Sequence, residues 1–213
     1  MKGFLFDLDG TLVDTAIDMI AALKTLAAEN GILINPDYNQ YKELITHGSR
    51  AIVVSIFGHL DKNSIWLLQQ RYLQIYQQNL TVGSCLFDGI SAVITKLDNA
   101  NIPWGIVTNK PAYLAQPLVD SLPQLHNCKV LIGGDCTLHS KPHPEPINRA
   151  IKSMPINPTE SWYIGDALTD ITAANAAGMN SAVALWGYLS NTDKPHNWHA
   201  NKLLTNALDI LEL

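Results

Sequence analysis

Phe4-Leu5-Phe6-Asp7-Leu8-Asp9-Gly10-Thr11-Leu12-Val13-Asp14-Thr15 is the stretch around which the rest of the chain is organised. It opens as an apolar run, as a strand buried on both faces does, and then delivers two carboxylates and a glycine. Residues two apart on an extended chain project to the same side, so Asp7 and Asp9 reach one centre if the chain stays extended that far. Alone, the pair also fits an ordinary strand end, with Asp9-Gly10 as turn chemistry and Asp7 capping a nearby group.

Downstream of this stretch the pattern is helical. Thr15 is placed to cap a helix with Asp18 in its first turn, and Ile17, Ile20, Leu23 and Leu26 follow at helical spacing until Gly31. Asn35-Pro36-Asp37 opens a second helix through Tyr38, Tyr41, Leu44 and Ile45. His47-Gly48-Ser49-Arg50 interrupts the pattern, a short helix runs from Ala51 to Phe57, and Asn63 or Ser64 opens a longer one with Ile65, Leu68, Tyr72 and Ile75.

After Thr81 strands and helices alternate. Pro103–Thr108, Lys129–Ile132, Trp162–Gly165 and Ala182–Leu185 read as strands, and Ser91–Asn99, Pro111–Leu122, Pro144–Met154, Leu168–Ala177 and a closing Leu203–Leu211 read as helices. That alternation predicts an α/β fold, a doubly wound parallel sheet covered on both faces. The expected architecture is a discontinuous core, residues 1–14 and 81–213, interrupted by an all-helical insert over 15–80.

Composition sets the limits. The 213 residues are 47% hydrophobic and 15% charged, which suffices for a buried core. A net charge of -5 argues against a nucleic-acid partner and toward a small molecule. Cys85, Cys128 and Cys136 are odd in number and contain no Cys-x-x-Cys, so neither a disulfide framework nor a zinc site is expected. No run approaches the ~18 apolar residues of a membrane span. The expectation is a soluble cytoplasmic protein.

Ligands of open parallel sheets bind at the carboxyl ends of the strands, so the residues just past each strand carry the functional reading. Thr108, Asn109 and Lys110 follow one strand, Asp166 and then Asp170 follow another, and Ser140-Lys141-Pro142-His143-Pro144 forms a stiff loop bearing one lysine. Each has an ordinary alternative: Thr108 as a helix cap, Lys141 as a solvated charge, Asp166 as a cap with Asp170 in the first turn.

Asp7-Leu8-Asp9-Gly10-Thr11 resembles the signature of the haloacid dehalogenase-like superfamily of aspartate-nucleophile phosphatases. Thr108, Lys141 and the Asp166/Asp170 pair resemble, in chain order, its second, third and fourth motifs, and none departs from the pattern. The helical insert matches the cap that the superfamily places directly after its first motif, on a Rossmann-like core. Thr108-Asn109-Lys110-Pro111, Ser140-Lys141-Pro142-His143-Pro144 and Trp186-Gly187-Tyr188 extend the resemblance to the phosphoglycolate phosphatase branch and, within it, to the N-acetylmuramic acid 6-phosphate phosphatases of bacterial cell-wall recycling.

The resemblance implies a phosphomonoester hydrolase. An anionic nucleophile is repelled by a phosphate dianion unless the surrounding charge is neutralised, which calls for a divalent cation. Mg2+ takes oxygen ligands, here Asp7, the backbone carbonyl of Asp9 and Asp166, with Asp170 acting through water. Asp7 is the expected nucleophile and Asp9 the acid and then base, while Lys141, Thr108 and Asn109 hold the phosphoryl oxygens. Asp9 argues against the dehalogenating members, whose halide leaving group needs no proton. A sugar-phosphate mutase of the phosphoglucomutase type stays open. A phosphorylatable receiver-like signalling module, a different class, is disfavoured by the insert. Substrate choice is expected in the cap, at His47 and Arg50, where an arginine could clamp the carboxylate that 2-phosphoglycolate and N-acetylmuramic acid 6-phosphate both carry.

Overall fold

The computed structural model describes residues 1–213, the side chain of Gln40 apart. The chain divides into two compact units, Met1–Asp14 with Leu86–Leu213, and Thr15–Cys85.

In the larger unit β1 (Phe4–Phe6), β2 (Trp104–Val107), β3 (Leu131–Ile132), β4 (Trp162–Gly165), β5 (Asn180–Ala184) and β6 (Lys202–Leu204) form one sheet in the order β3-β2-β1-β4-β5-β6. Neighbouring strands run parallel, with Phe4 opposite Trp104 on one side and Trp162 on the other. The chain steps outward from β1 to β3, returns to lay β4 beside β1, and then steps outward the other way. The strand order therefore reverses between β1 and β4, the place where doubly wound sheets leave a crevice at their carboxyl ends.

Alternation along β1 sorts its side chains. Phe4 and Phe6 join Trp104, Ile106 and Ile164 on one face, packed against Ile90, Val93, Ile94 and Leu97 of the Ile90–Asn99 helix and Leu118 of the Ala112–Asp120 helix. Leu5 joins Val107 and Tyr163 on the other face, with Ile147 and Ala150 of the Glu145–Ser153 helix and Ala173 and Ala174 of the Leu168–Ala176 helix. Leu5 and Phe6 are completely buried; each such side chain contributes about 1.5–3 kcal/mol. Asp7, two residues past Leu5, leaves the sheet on the Leu5 side.

The expected closing helix is instead the strand Lys202–Leu204 followed by a 3-10 turn, Ala207–Glu212. Ala182, Val183 and Ala184 pair in parallel with Lys202, Leu203 and Leu204. The Asp209 carboxylate gathers the Thr205 and Asn206 amides at 2.9 and 3.0 Å, which ends the strand and starts the turn. Leu203-Leu204 satisfies either periodicity, and sheet pairing decides for the strand.

The second unit holds the helices Ala16–Glu29, Tyr38–Ile45, Gly48–Phe57 and Lys62–Gln78. The buried stripe of the first is Ala16, Met19, Ala22, Leu23, Leu26 and Ala27, so Ile17, read as a core position, faces outward at 47% exposure. Thr15 makes no side-chain cap bond, and Asp18 instead accepts from the Gly83 and Ser84 amides at 2.8 Å each. Those two bonds tie residues 83 and 84 to the first helix, which is why this unit extends to Cys85 rather than ending at residue 80. Asp61, not Asn63 or Ser64, caps the last helix by accepting from both of their amides. The interruption at 47–50 is also shorter than its sequence suggests: Gly48, Ser49 and Arg50 already lie in the helix that His47 precedes.

Candidate active site

Asp7 emerges from β1 and Asp166 from β4, at the two strands that flank the reversal. The Asp7 amide donates to Ile164 O at 2.9 Å, so the chain is still laddered to β4 where the first acid appears. A tight turn follows, in which Leu8 O accepts from the Leu12 and Val13 amides at 3.1 and 3.0 Å. Gly10 takes φ +82 in this turn, and a Cβ there would run into the Asp166 carboxylate. Backbone conformation and close approach both require glycine.

Lys141 is the hub. It is 3% exposed, not the solvated charge its loop position allows. Its Nζ lies 2.9 Å from Asp7 Oδ1 and 2.6 Å from Asp170 Oδ1, and it also meets Val107 O at 2.9 Å and the Tyr163 hydroxyl at 2.8 Å. The loop is held by Asn109, whose side chain donates to Lys141 O and accepts from Lys141 N, each at 3.0 Å. Thr108 is buried and accepts from the Lys110 amide at 3.1 Å. It does not cap the helix that follows, whose Ala112 amide donates to Asp135 at 2.7 Å.

Asp166 accepts from Thr11 Oγ1 at 3.0 Å on one oxygen and from the Tyr188 amide at 2.8 Å on the other. Asp170 is completely buried, with Lys141 and Tyr163 on Oδ1 and the Ala167 amide on Oδ2 at 3.0 Å. A carboxylate has about four lone-pair sites. Asp166 thus keeps one on each oxygen, whereas Asp170 accepts three bonds, from Lys141, the Tyr163 hydroxyl and the Ala167 amide. The first-turn reading of Asp170 also holds, because its bond to the Ala167 amide is a cap interaction.

The Lys141 ammonium pairs with Asp7 and Asp170, and Asp166 stands beside them. Ligand oxygens of Asp7, Asp166 and Asp170 all lie within 4.8 Å of one another. Burial pushes Asp7 up to about 7, with Lys141 pulling it down and the charges of Asp170 and Asp9 adding to the rise. Burial, then the charges of Asp7 and Asp170, holds Asp166 well above the carboxylate range. For Lys141 burial acts downward, but Asp170 and Asp7 outweigh it and the ammonium is raised. The cluster is short of positive charge, and all its donors are oxygen, the set that a hard divalent cation takes.

Asp9 belongs to the same centre through its charge, which adds to the rise of Asp7, and it pairs with Lys110, whose Nζ lies 3.0 Å from Asp9 Oδ1 with its side chain only 4% exposed. Tyr163, Thr11 and Tyr188 are site residues that strand-end reasoning does not single out, whereas Lys110 is among the residues read just past the strand. Tyr163 reads as core because it sits inside β4, and Thr11 and Tyr188 enter the sequence reading only inside the quoted motifs, with no role of their own until Asp166 is placed between them. His47 and Arg50 lie in the helical unit and are exposed.

The chain is similar to known proteins over its whole length. A phosphoglycolate phosphatase from Xanthomonas campestris pv. campestris is 41% identical over 211 residues, covering 99% of this chain and 95% of its own. An N-acetylmuramic acid 6-phosphate phosphatase from Pseudomonas aeruginosa is 35% identical, covering 100% and 94%. The crystal structure of a predicted phosphoglycolate phosphatase from Haemophilus somnus 129PT superposes with a TM-score of 0.88 at 24% identity, covering 100% of this chain and 97% of that one, and shows the same fold. The family model for haloacid dehalogenase-like hydrolases matches residues 4–184, from β1 to the end of β5, and the chain belongs to that family.

Proposed function

We propose that the protein is a Mg2+-dependent phosphomonoester hydrolase that works through an aspartyl-phosphate on Asp7. The observation that carries this reading is the Lys141 ammonium 2.9 Å from Asp7 Oδ1, with Asp166 beside it at the carboxyl end of the sheet. That arrangement gives a carboxylate nucleophile partial charge compensation and reserves a place for a cation. Asp7, the carbonyl of Asp9 and Asp166 would hold Mg2+, with Asp170 joining through water. The ion supplies the positive charge that lets an anion approach a phosphate dianion.

The chain's own groups do the rest. Lys141, Thr108 and Asn109 bind the phosphoryl oxygens. Asp7 attacks phosphorus in line as the bond to the ester oxygen breaks, and Asp9 gives that oxygen its proton. Asp9, now a carboxylate, takes a proton from the water that attacks the aspartyl-phosphate, which releases phosphate and restores Asp7.

Cation binding to the folded state alone raises stability by about 2.7 kcal/mol at 100 times Kd. Saturating Mg2+ is therefore expected to raise Tm by about 5–10 °C in a chain of this size. Asp166→Asn should abolish that shift without lowering the metal-free Tm, because it removes a buried carboxylate held uncomfortably close to two others. Thermal melts with and without Mg2+ check both; a full shift in the variant would remove Asp166 from the cation site.

The substrate is a small phosphate ester that also carries a carboxylate, 2-phosphoglycolate or N-acetylmuramic acid 6-phosphate, the two compounds for which the relatives above are named. The helical unit acts as the cap that selects it. Free thiols at Cys85, Cys128 and Cys136 fit a reducing cytoplasm, and among the described residues no helix is long and apolar enough to cross a membrane. Steady-state kinetics with Mg2+ on both compounds and on sugar phosphates lacking a carboxylate test the reading. Preference for the latter would overturn it.

Arg50 is the proposed carboxylate clamp. Its replacement by alanine should remove a charge-assisted contact worth about 1.5–3 kcal/mol, roughly 10- to 100-fold in kcat/KM on a carboxylate substrate. Para-nitrophenyl phosphate, which has no carboxylate, should be hydrolysed at the parent rate. Losses on both substrates would assign Arg50 to packing, and no loss on either would assign specificity elsewhere.

A further inference from the structure

We propose that His139, His143 and Glu145 form a second divalent-metal site, for an imidazole-preferring ion such as Zn2+, on the outer side of the loop that carries Lys141. The three side chains present ligand atoms within 4.8 Å of one another, with both histidines exposed and Glu145 half-buried. His139 Nδ1 lies 3.0 Å from Glu145 Oε2, and the two imidazole rings stack with centroids 4.5 Å apart. Donors on one tetrahedral zinc, at bond lengths of about 2.0–2.1 Å, sit roughly 3.3 Å from each other. The His139–Glu145 pair already has that spacing, and the third donor, on the exposed His143, lies within 4.8 Å of both.

The triad is assembled before any ion arrives. Glu145 is oriented by the Leu138 and His139 amides, which donate to its two oxygens at 3.3 and 3.1 Å. The Glu145 amide in turn donates to His143 Nδ1 at 3.2 Å, and Thr137 Oγ1 donates to His139 O at 2.8 Å. The His143 amide closes the loop onto Ser140 O at 3.0 Å. Such outer bonds are what orient ligands in metal sites. Two nitrogens and one carboxylate favour Zn2+, Ni2+ or Cu2+ over Mg2+, opposite to the all-oxygen cluster of Asp7, Asp166 and Asp170. Arg149 and Lys152, with Asp135, line the surface depression that holds His143 and Glu145, and the two cations work against ion binding there.

The placement gives the site a consequence. His139 and His143 flank Lys141 by two residues on either side, their rings turned outward while its side chain is buried. Asn109 grips the Lys141 main chain from within. An ion on the triad clamps the same loop from outside and so fixes the ammonium that faces Asp7. This site stands independently of the phosphatase reading.

The test uses the full-length protein, stripped with a chelator and resupplied with saturating Mg2+. Calorimetric titration with Zn2+ should show one micromolar site, and His139→Ala and His143→Ala should each weaken it by at least tenfold. Asp166→Asn should leave it unchanged. Electron paramagnetic resonance of the Cu2+-loaded parent, which needs no variant to fold, should show coupling to two nitrogens. Absence of binding, equal affinity in the histidine variants, loss of the site in Asp166→Asn, or a Cu2+ spectrum without nitrogen coupling would each overturn the proposal.

Discussion

Asp7→Asn is expected to abolish Mg2+-dependent phosphatase turnover, with kcat falling roughly 10^4- to 10^6-fold, the scale seen when a covalent nucleophile is removed. The substitution keeps the shape of the side chain and removes both the attacking oxygen and a charged ligand from the cluster. Stability should move the other way. Asp7 is raised from 3.8 to about 7 in the metal-free fold, chiefly by burial. Between those two values the folded state holds a proton that the unfolded chain has released, so stability falls as pH rises through this window. Asparagine has no proton to lose. The variant should therefore melt at or above the parent temperature at pH 8 without divalent ions, while Lys141 keeps Asp170 as its partner at 2.6 Å. Turnover near the parent rate would end the nucleophile assignment, and a large drop in metal-free Tm would assign Asp7 a structural role instead.

The features of the chain that were legible are those that one-dimensional periodicity carries. The apolar run at Phe4-Leu5-Phe6 and the alternation after residue 81 were enough for a parallel α/β sheet, because buried strands and their covering helices have different periods. The acids were legible for a related reason: charge that interrupts or follows a strand in such a sheet falls at its carboxyl end, whereas Lys141 stood out as the one lysine of a stiff loop and by resemblance. What stayed hidden depends on contacts between distant segments. Leu203-Leu204 is a strand because Val183 and Ala184 offer it a ladder. Ile17 faces outward because the Ala16, Met19 and Leu23 stripe is the one the fold buries. The Lys110 pairing with Asp9 spans 101 positions, and the Tyr163 hydroxyl reaches Asp170 only because β4 and the following helix bring them together.

Asp170 shows why the identity of a residue underdetermines its role. The resemblance makes it a cation ligand through water. Its oxygens are engaged by Lys141, Tyr163 and the Ala167 amide, so its first effect is to hold the ammonium in place and keep it charged. Removing one partner of a buried pair leaves the other uncompensated. The Lys141 position thus depends on Asp170 on one side and on the Asn109 clasp of its main chain on the other.

Asp9→Asn is expected to separate the two chemical steps. Proton transfer by a positioned acid contributes about 10^2- to 10^4-fold, and the contribution grows as the leaving group becomes a poorer one. An alkyl phosphate expels an alkoxide that needs the proton, whereas para-nitrophenyl phosphate expels a stable phenolate. In single-turnover measurements the phosphorylation rate of the variant should therefore fall by about that factor on the alkyl ester and only slightly on the aryl ester. Steady-state turnover should fall on both, because either ester leads to the same aspartyl-phosphate, whose hydrolysis uses Asp9 as base. The aryl ester should then show a burst of nitrophenol equal to one enzyme equivalent followed by slow release. The side chain is fixed in place: Lys110 Nζ lies 3.0 Å from Asp9 Oδ1, with both side chains largely screened from solvent. Equal losses on the two esters in the first turnover would take Asp9 out of the acid role, and absence of the burst would take it out of the base role.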